Sequence, residues 1–466
     1  MGRKLDSFGC VPSEHASDGT RRGGKSARRS AGQVRIPCGY LLIEMTYKIA
    51  RAMSERRGEM PTLTRRRFVS GTAAASVVVA GGLPPLPSAH AAGPELSAAL
   101  PEGVRSSAVL DALPGKKPLI KLSYRPPNYE TPIEYFRQPI TPNNAFFVRY
   151  HLAFIPNVDA TTWKISIGGD GANGQAQLTL EDLKAMPPAE VVAVNQCSGN
   201  RRGLFQPHVP GVEWGYGAMG CARWKGARLK DVLDKVGLKK EAVEIAFSGA
   251  DRPVVDKTPP FVKSIPVWKA MEETTLIAYE MNGEALPHLN GYPVRLIVPG
   301  WTGTYWMKHL ASIKALIKPE SNFWMSTAYR IPLGKFPLVA RFTSQDTAVN
   351  TPITEMVVNS LITSHGDGAE AKVGSVLGGI AWDGGYGIRT VEISRDRGKT
   401  WTAADLGPDL GRYAFRTWSF PLQQKGEQTV MVRAGNVIGQ TQTAALIFNP
   451  AGYHHNVMHS ISINVV

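Results

Sequence analysis

The chain has 466 residues, 43% hydrophobic and 20% charged, which excludes a disordered or collagen-like polymer and suggests two to four domains. A mean hydropathy of −0.15 excludes a polytopic membrane protein, and four cysteines with no CxxC pair exclude a disulfide scaffold, a zinc ribbon and covalently attached haem. The net charge of +15 is concentrated in residues 1–91, which hold 15 Lys+Arg against 6 Asp+Glu, so the remainder carries no footprint for nucleic acid.

Residues 1–60 mix Arg, Ser, Gly and Glu without a sustained period. Thr64-Arg65-Arg66-Arg67-Phe68-Val69 then opens an uncharged Ala, Val and Gly-rich stretch that closes on Ala89-His90-Ala91. A charged region, an apolar region and a small-x-small site make an export signal. The paired arginines and the mild hydrophobicity resemble a twin-arginine signal, which carries folded proteins to the periplasm. The apolar segment is shorter than the ~20 residues that span a bilayer, so no stable membrane insertion is expected. The mature chain is expected to start near Ala92. A start at Met45, Met53 or Met60 would remove Cys10 and Cys38 and leave Cys197 and Cys221.

Residues 92–135 are Pro-rich and read as irregular chain wrapped on a core. From about 140 to 330, strands and helices alternate. Residues 163–167, 190–194, 243–248 and 294–298 read as strands. Residues 180–186 read as a helix capped by Thr179, and 228–236 as an amphipathic helix. This mixture predicts an α+β domain. From about 350 the pattern is all-β, with runs at 355–362, 372–382, 390–394 and 429–434 and turns at Asp383-Gly384-Gly385 and Asp396-Arg397-Gly398, which predicts a sandwich. The expected divisions are 1–91, 92–335 and 336–466, the last ending in a C-terminal tail. Trp382, Trp401 and Trp418 are expected in its core rather than in a binding site.

The chemistry concentrates in Val194-Asn195-Gln196-Cys197-Ser198-Gly199-Asn200-Arg201-Arg202. A buried strand ends, a cysteine occupies the following turn, and two arginines come within five residues. Cations lower a thiol pKa, and the thiolate is both nucleophile and metal ligand. Taken alone, this stretch also fits a disulfide to Cys221, or a hydrolase with His151 or His208 as base. Phe146-Phe147-Val148-Arg149-Tyr150-His151 sets an arginine and a histidine on one face of a strand. Asn290-Gly291-Tyr292-Pro293-Val294-Arg295 leads to Pro299-Gly300 and on to Trp306-Met307-Lys308-His309.

These three segments, in this order, resemble the sulfite oxidase family of molybdenum enzymes, and within it the bacterial periplasmic members whose catalytic subunit partners a separate cytochrome c. The likeness runs from about residue 115 to the C-terminus. It implies a mixed molybdopterin domain followed by an immunoglobulin-like dimerisation-type sandwich. It implies oxidation of sulfite to sulfate, a molybdenum–molybdopterin cofactor and no haem in this chain. The electrons would go to a c-type cytochrome, as acceptor or subunit, in a homodimer or a heterodimer. By resemblance, Cys197 ligates molybdenum, Tyr329 stands beside the reacting oxygen, Arg149 and Arg202 hold the oxyanion, and His151 lies next to metal and pterin. Phe147, Asp251, Asn290, Arg295, Trp306, Met307 and Lys308 fall on pterin-contact positions, with Asn290 standing where some members have His. The family spacing favours Arg202 for the pocket and leaves Arg201 to solvent. A metal-bound Cys197 leaves Cys221 a buried free thiol. A soft thiolate suits a metal that already carries sulfur ligands, and two arginines can pair a buried oxyanion. Neighbouring readings are a sulfane dehydrogenase and a methionine sulfoxide reductase, the latter without the C-terminal sandwich. Readings from other classes are a cysteine hydrolase and an oxyanion-binding protein.

Overall fold

Thr179 starts its helix by a reciprocal device. Its hydroxyl accepts from the Asp182 amide, and the Asp182 carboxylate accepts from the Thr179 amide. The helix is only five residues long, Leu180–Lys184. The predicted helix over 228–236 is also a single turn, Leu229–Leu233. The regular elements among the described residues are therefore mostly strands, and the α part of the expected α+β domain is slight. The structure, a computed structural model, describes residues 109–111, 113–332 and 350–466. The export signal, the candidate starts and the 335/336 division lie outside them. The described residues belong to one unit of the chain, Ser88–Val466. No helix among them is long and apolar enough to cross a membrane.

Three sheets build the first part. The Pro-rich segment is more regular than expected. Val109–Asp111, Leu119–Ser123 and Asn128–Glu130 form an antiparallel ladder that ends on Val148–Arg149. A second sheet runs Val262–Pro266, Glu244–Gly249, Leu310–Leu316, Ile165–Gly168, Ala176–Leu178. A third pairs Pro188–Gln196 with Met219–Arg228, and Met219–Arg228 with Leu276–Met281, which Arg295–Ile297 joins. Pro188–Gln196 becomes fully enclosed toward its C-terminal end, which delivers Cys197 to the interior.

The C-terminal part packs two sheets. One orders Asn359–Ile362, Val376–Trp382, Arg416–Pro421 and Asp405–Leu406. The other orders Ala369–Ala371, His459–Val465, Gly426–Asn436, Ile388–Ser394 and Thr402–Ala403. The expected tail is in fact the inner strand His459–Val465. His459, Ile461, Ile463 and Val465 face the core, while Ser460, Ser462 and Asn464 face out. Trp382 and Trp418 are buried and Trp401 is half-buried under the Arg433 guanidinium.

The two parts interlock. Val194 donates its amide to the Tyr413 carbonyl (2.9 Å) and Thr302 to that of Thr354 (2.8 Å). Trp382 Nε1 donates to Gln196 Oε1 (2.6 Å), one residue before Cys197. Arg201 is buried rather than solvent-facing. Its Nη1 bonds Asn359 Oδ1 (2.6 Å), its Nη2 bonds the Ser360 carbonyl (2.9 Å), and its plane lies over Tyr216 and Trp382. A backbone φ of +68° turns this side chain away from Arg202 and into the sandwich.

Candidate active site

Cys197 follows the last strand residue and opens a tight turn in which the Asn200 amide bonds the Cys197 carbonyl (2.9 Å). Ala218 fixes the Cys197 amide (2.8 Å). Cys197 and Cys221 are both free and buried, so the disulfide alternative does not hold. Burial pushes the Cys221 thiol up to about 12, which keeps it an inert core group. His208, the second base considered, is exposed and pairs with Glu213 (3.9 Å).

A cavity opens beside Cys197. Phe147, Arg149, His151, Cys197, Asp251, Asn290, Arg295, Trp306, Met307, Lys308 and Tyr329 all line it. Arg202 does not. It sits in the short 3-10 turn Arg202–Leu204, with its guanidinium over the Tyr453 ring. Tyr329 has φ +59°, a left-handed conformation that costs a bulky residue about 1–3 kcal/mol. That strain, together with a bond from the Ile353 amide to the Tyr329 carbonyl (2.9 Å), sets the phenol in the cavity wall. The Tyr329 hydroxyl pairs with His151 Nε2 and stands 3.5 Å from Arg149 Nη2. His151 stacks on Phe261, with centroids 3.7 Å apart. Burial, then the charge of Arg149, holds its imidazole well below its usual value, so it is neutral near pH 7.

At the other end, cations crowd together. Arg295 bonds the carbonyls of Asn290 (2.9 Å) and Trp306 (3.1 Å). Lys116 donates to the carbonyls of Asn143 (2.6 Å) and Phe146 (3.0 Å), and to Asn290 Oδ1. Lys308 donates to the Leu289 carbonyl (3.1 Å). Burial, aided by the Arg295 charge, pushes Lys116 down to about 7 and Lys308 well below its ordinary value. Burial raises the Asp251 carboxyl, with Lys308 pulling it the other way. Lys116, Phe146, Tyr150, Asn195, Ser198, Phe261 and Thr304 were not singled out from sequence. Lys116 lies thirty residues or more from any motif, and the rest are ordinary core or turn residues until the fold assembles them.

A model of the oxidoreductase molybdopterin binding domain matches residues 151–324, and one of the Mo-co oxidoreductase dimerisation domain matches residues 350–466. The mitochondrial sulfite oxidase of Rattus norvegicus is 34% identical over 373 residues, covering 76% of this chain and 67% of its own length. The Arabidopsis thaliana sulfite oxidase is 32% identical, covering 66% of this chain and 81% of its own. The chain belongs to the sulfite oxidase family. It is a molybdopterin oxidoreductase of the sulfite oxidase type. The crystal structure of the sulfane dehydrogenase SoxCD from Paracoccus pantotrophus shares the fold, with a TM-score of 0.62 and 24% identity over 83% of this chain and 96% of that one.

The residues fit the cofactor of a sulfite oxidase-type enzyme. Arg149 Nε, Arg295 Nε and Asn195 Oδ1 are buried without a hydrogen-bond partner. Unpaired buried polar groups and mutually repelling cations both require an anionic, hydrogen-bonding occupant. Arg295, Lys308 and Asn290 would hold the pterin end of molybdopterin, with Lys116 fixing Asn290 from behind. Cys197, the one thiol on the wall, would supply the protein's thiolate to molybdenum.

Proposed function

We propose that this enzyme oxidises sulfite to sulfate in the periplasm and passes the electrons to a c-type cytochrome. The convergence of the Cys197 thiol, the Arg149 guanidinium and the Tyr329–His151 pair at one end of a cation-lined cavity carries this reading. Overall, sulfite gains one oxygen derived from water and gives up two electrons, with two protons released. When bound, molybdenum–molybdopterin supplies the two-electron, oxygen-transfer chemistry. The chain's own residues attract and orient the anion. Arg149 offers a desolvated positive charge beside the Tyr329 hydroxyl, where charge-assisted hydrogen bonds are strongest. The His151–Tyr329 pair holds a proton at the same spot, on a phenol that burial keeps protonated well above neutral pH. Phe261 and Trp324 pack against His151 and limit water there.

The export signal around Arg66 and Arg67 supports the periplasmic part of the proposal, and the lack of a haem motif in the sequence supports a separate cytochrome. The C-terminal sandwich is read as immunoglobulin-like, serving a homodimer or a heterodimer with that cytochrome. The test is molybdenum content together with sulfite-dependent reduction of cytochrome c by the exported protein. About one molybdenum per chain with sulfite turnover is expected. A Cys197→Ser variant should fold and lose turnover. Molybdenum without sulfite turnover, but with activity on a protein-borne sulfane sulfur, would replace the substrate by that of a sulfane dehydrogenase. Full activity without molybdenum would refute both.

A further inference from the structure

Arg202 is caged from two sides of the molecule. Glycines on its own side leave it room: a Cβ at Gly199 would fall 2.5 Å from its Nη1, and one at Gly211 would fall 2.8 Å from the same atom. The opposite wall comes from residues 449–453, beyond the sandwich core. Ala451 accepts a hydrogen bond from Arg202 Nε (3.2 Å), and a Cβ at Gly452 would fall 2.8 Å from Arg202 Cγ. Tyr453 places its ring 5.1 Å from the guanidinium carbon. The same ring stacks on Tyr329, with centroids 5.7 Å apart and planes 23° apart. Asn449 locks this segment, because its side chain bonds both the amide (3.0 Å) and the carbonyl (2.7 Å) of Tyr453. Among the described residues no carboxylate forms an ion pair with Arg202. Its Nη1 donates to the Val212 carbonyl (3.3 Å), so its charge is balanced by carbonyls and the Tyr453 ring rather than by an ion pair.

We propose that Tyr453 is a positioning residue for oxyanion capture: its ring links the Arg202 guanidinium, which does not itself line the cavity, to Tyr329 on the cavity wall, so the C-terminal sequence supports the substrate site from behind. The proposal rests on the oxyanion reading of the pocket given above. Tyr453 contributes the π face and the stack, and its hydroxyl is not required. A cation–π contact in a desolvated setting is worth about tenfold or more in affinity.

The test uses purified holoenzyme and two readouts. The first is the sulfite KM and kcat; the second is the rise in Tm produced by sulfate. Tyr453→Leu should raise the sulfite KM about tenfold, change kcat less than threefold, and abolish most of the sulfate-induced rise. Tyr453→Phe should restore the wild-type KM and the wild-type rise. Tyr453→Met fills the volume without a π face and must behave as Leu does, which covers a misfolded Leu variant. A wild-type KM and sulfate response in the Leu or Met variant would overturn the proposal, as would a Phe variant as defective as Leu. If the wild type fails to oxidise sulfite, the substrate reading falls, and the sulfate response alone still decides the role of Tyr453. Absence of that response in the wild type would overturn the role as well.

Discussion

Arg149 spends Nη1 on the carbonyl of Tyr150 and turns Nη2 toward the Tyr329 hydroxyl, so its charge is fixed where an anion enters. A charge-assisted hydrogen bond contributes about 1.5–3 kcal/mol, and each ~1.4 kcal/mol is tenfold in affinity. Arg149→Gln is therefore expected to raise the sulfite KM about ten- to a hundredfold in steady-state kinetics with normal metal content, and an unchanged KM would remove Arg149 from substrate binding. Glu130 presents a different single-group effect. Its carboxyl is enclosed, accepts the Gly215 amide (2.8 Å), and is pushed by burial up to about 8 from an ordinary 4.5. The folded state thus binds a proton that the unfolded chain releases near pH 4.5. The associated stability is complete below that pH and is lost as pH rises through about 8. Glu130→Gln cannot ionise. Its Tm should fall about 2–4 °C less than that of the wild type between pH 6 and pH 9; parallel curves would show that Glu130 does not titrate in this range.

Strand Pro188–Gln196 is laddered along its whole length to Met219–Arg228, and it and the turn after it are also tied to the sandwich beyond, through Tyr413, Trp382 and Arg201. Arg201 has carbonyl and amide partners and no carboxylate among the bonds its guanidinium makes. Replacing it takes the charged donor from the buried Ser360 carbonyl and leaves Asn359 Oδ1 only the long bond from Gln442 Nε2 (3.4 Å). Arg201→Leu is expected to cost about 2–4 kcal/mol in urea unfolding, and a loss below about 0.5 kcal/mol would mean the two parts are joined mainly by other contacts. This role was invisible in sequence, because an Arg-Arg pair after a cysteine does not reveal which arginine meets a strand about 160 residues away. Strands with continuous apolar runs, such as the one before Cys197, were legible from local pattern. The Thr179 cap was legible for the same reason. His459–Val465 was not, although its alternation is regular, because its polar positions match those of a solvated tail until a partner strand is known on each side. In the cavity, Cys197 was readable from its own turn and the arginines after it, whereas Arg295 and Lys308 were assigned through the family resemblance. Lys116 and Thr304 carry no motif and are recruited only by tertiary contact. Tyr329 was placed through family resemblance alone, since nothing local to Ser326-Thr327-Ala328-Tyr329-Arg330 announces a left-handed tyrosine.

The chain assembles its interior around an anion. Arg149, Arg295 and Lys308 line one cavity in which Asp251 is the carboxylate, Lys116 backs its wall residue Asn290, and Lys263 lies buried behind Tyr329 and is itself pushed down to about 7. An arrangement of this kind is destabilising when empty and stabilising when filled, because ligand binding to the folded state adds directly to its stability. Protein made in a host unable to synthesise molybdopterin is expected to unfold several degrees below the loaded enzyme. The gap should depend on pH in a definite direction. Without the anion, Lys116 is held at about 7 against about 10.5 when unfolded. A base depressed in this way contributes stability that is present above about 10.5 and is lost as pH falls through about 7. A bound anion favours the protonated lysines and removes that loss. The difference in Tm between loaded and cofactor-free protein should therefore be widest near pH 6–7 and narrow toward pH 9–10, with titrations common to both forms, such as that of Glu130, cancelling. Parallel scanning calorimetry of the two forms across this range measures the difference, and a gap that widens with rising pH would show that these buried cations are not what the cofactor neutralises.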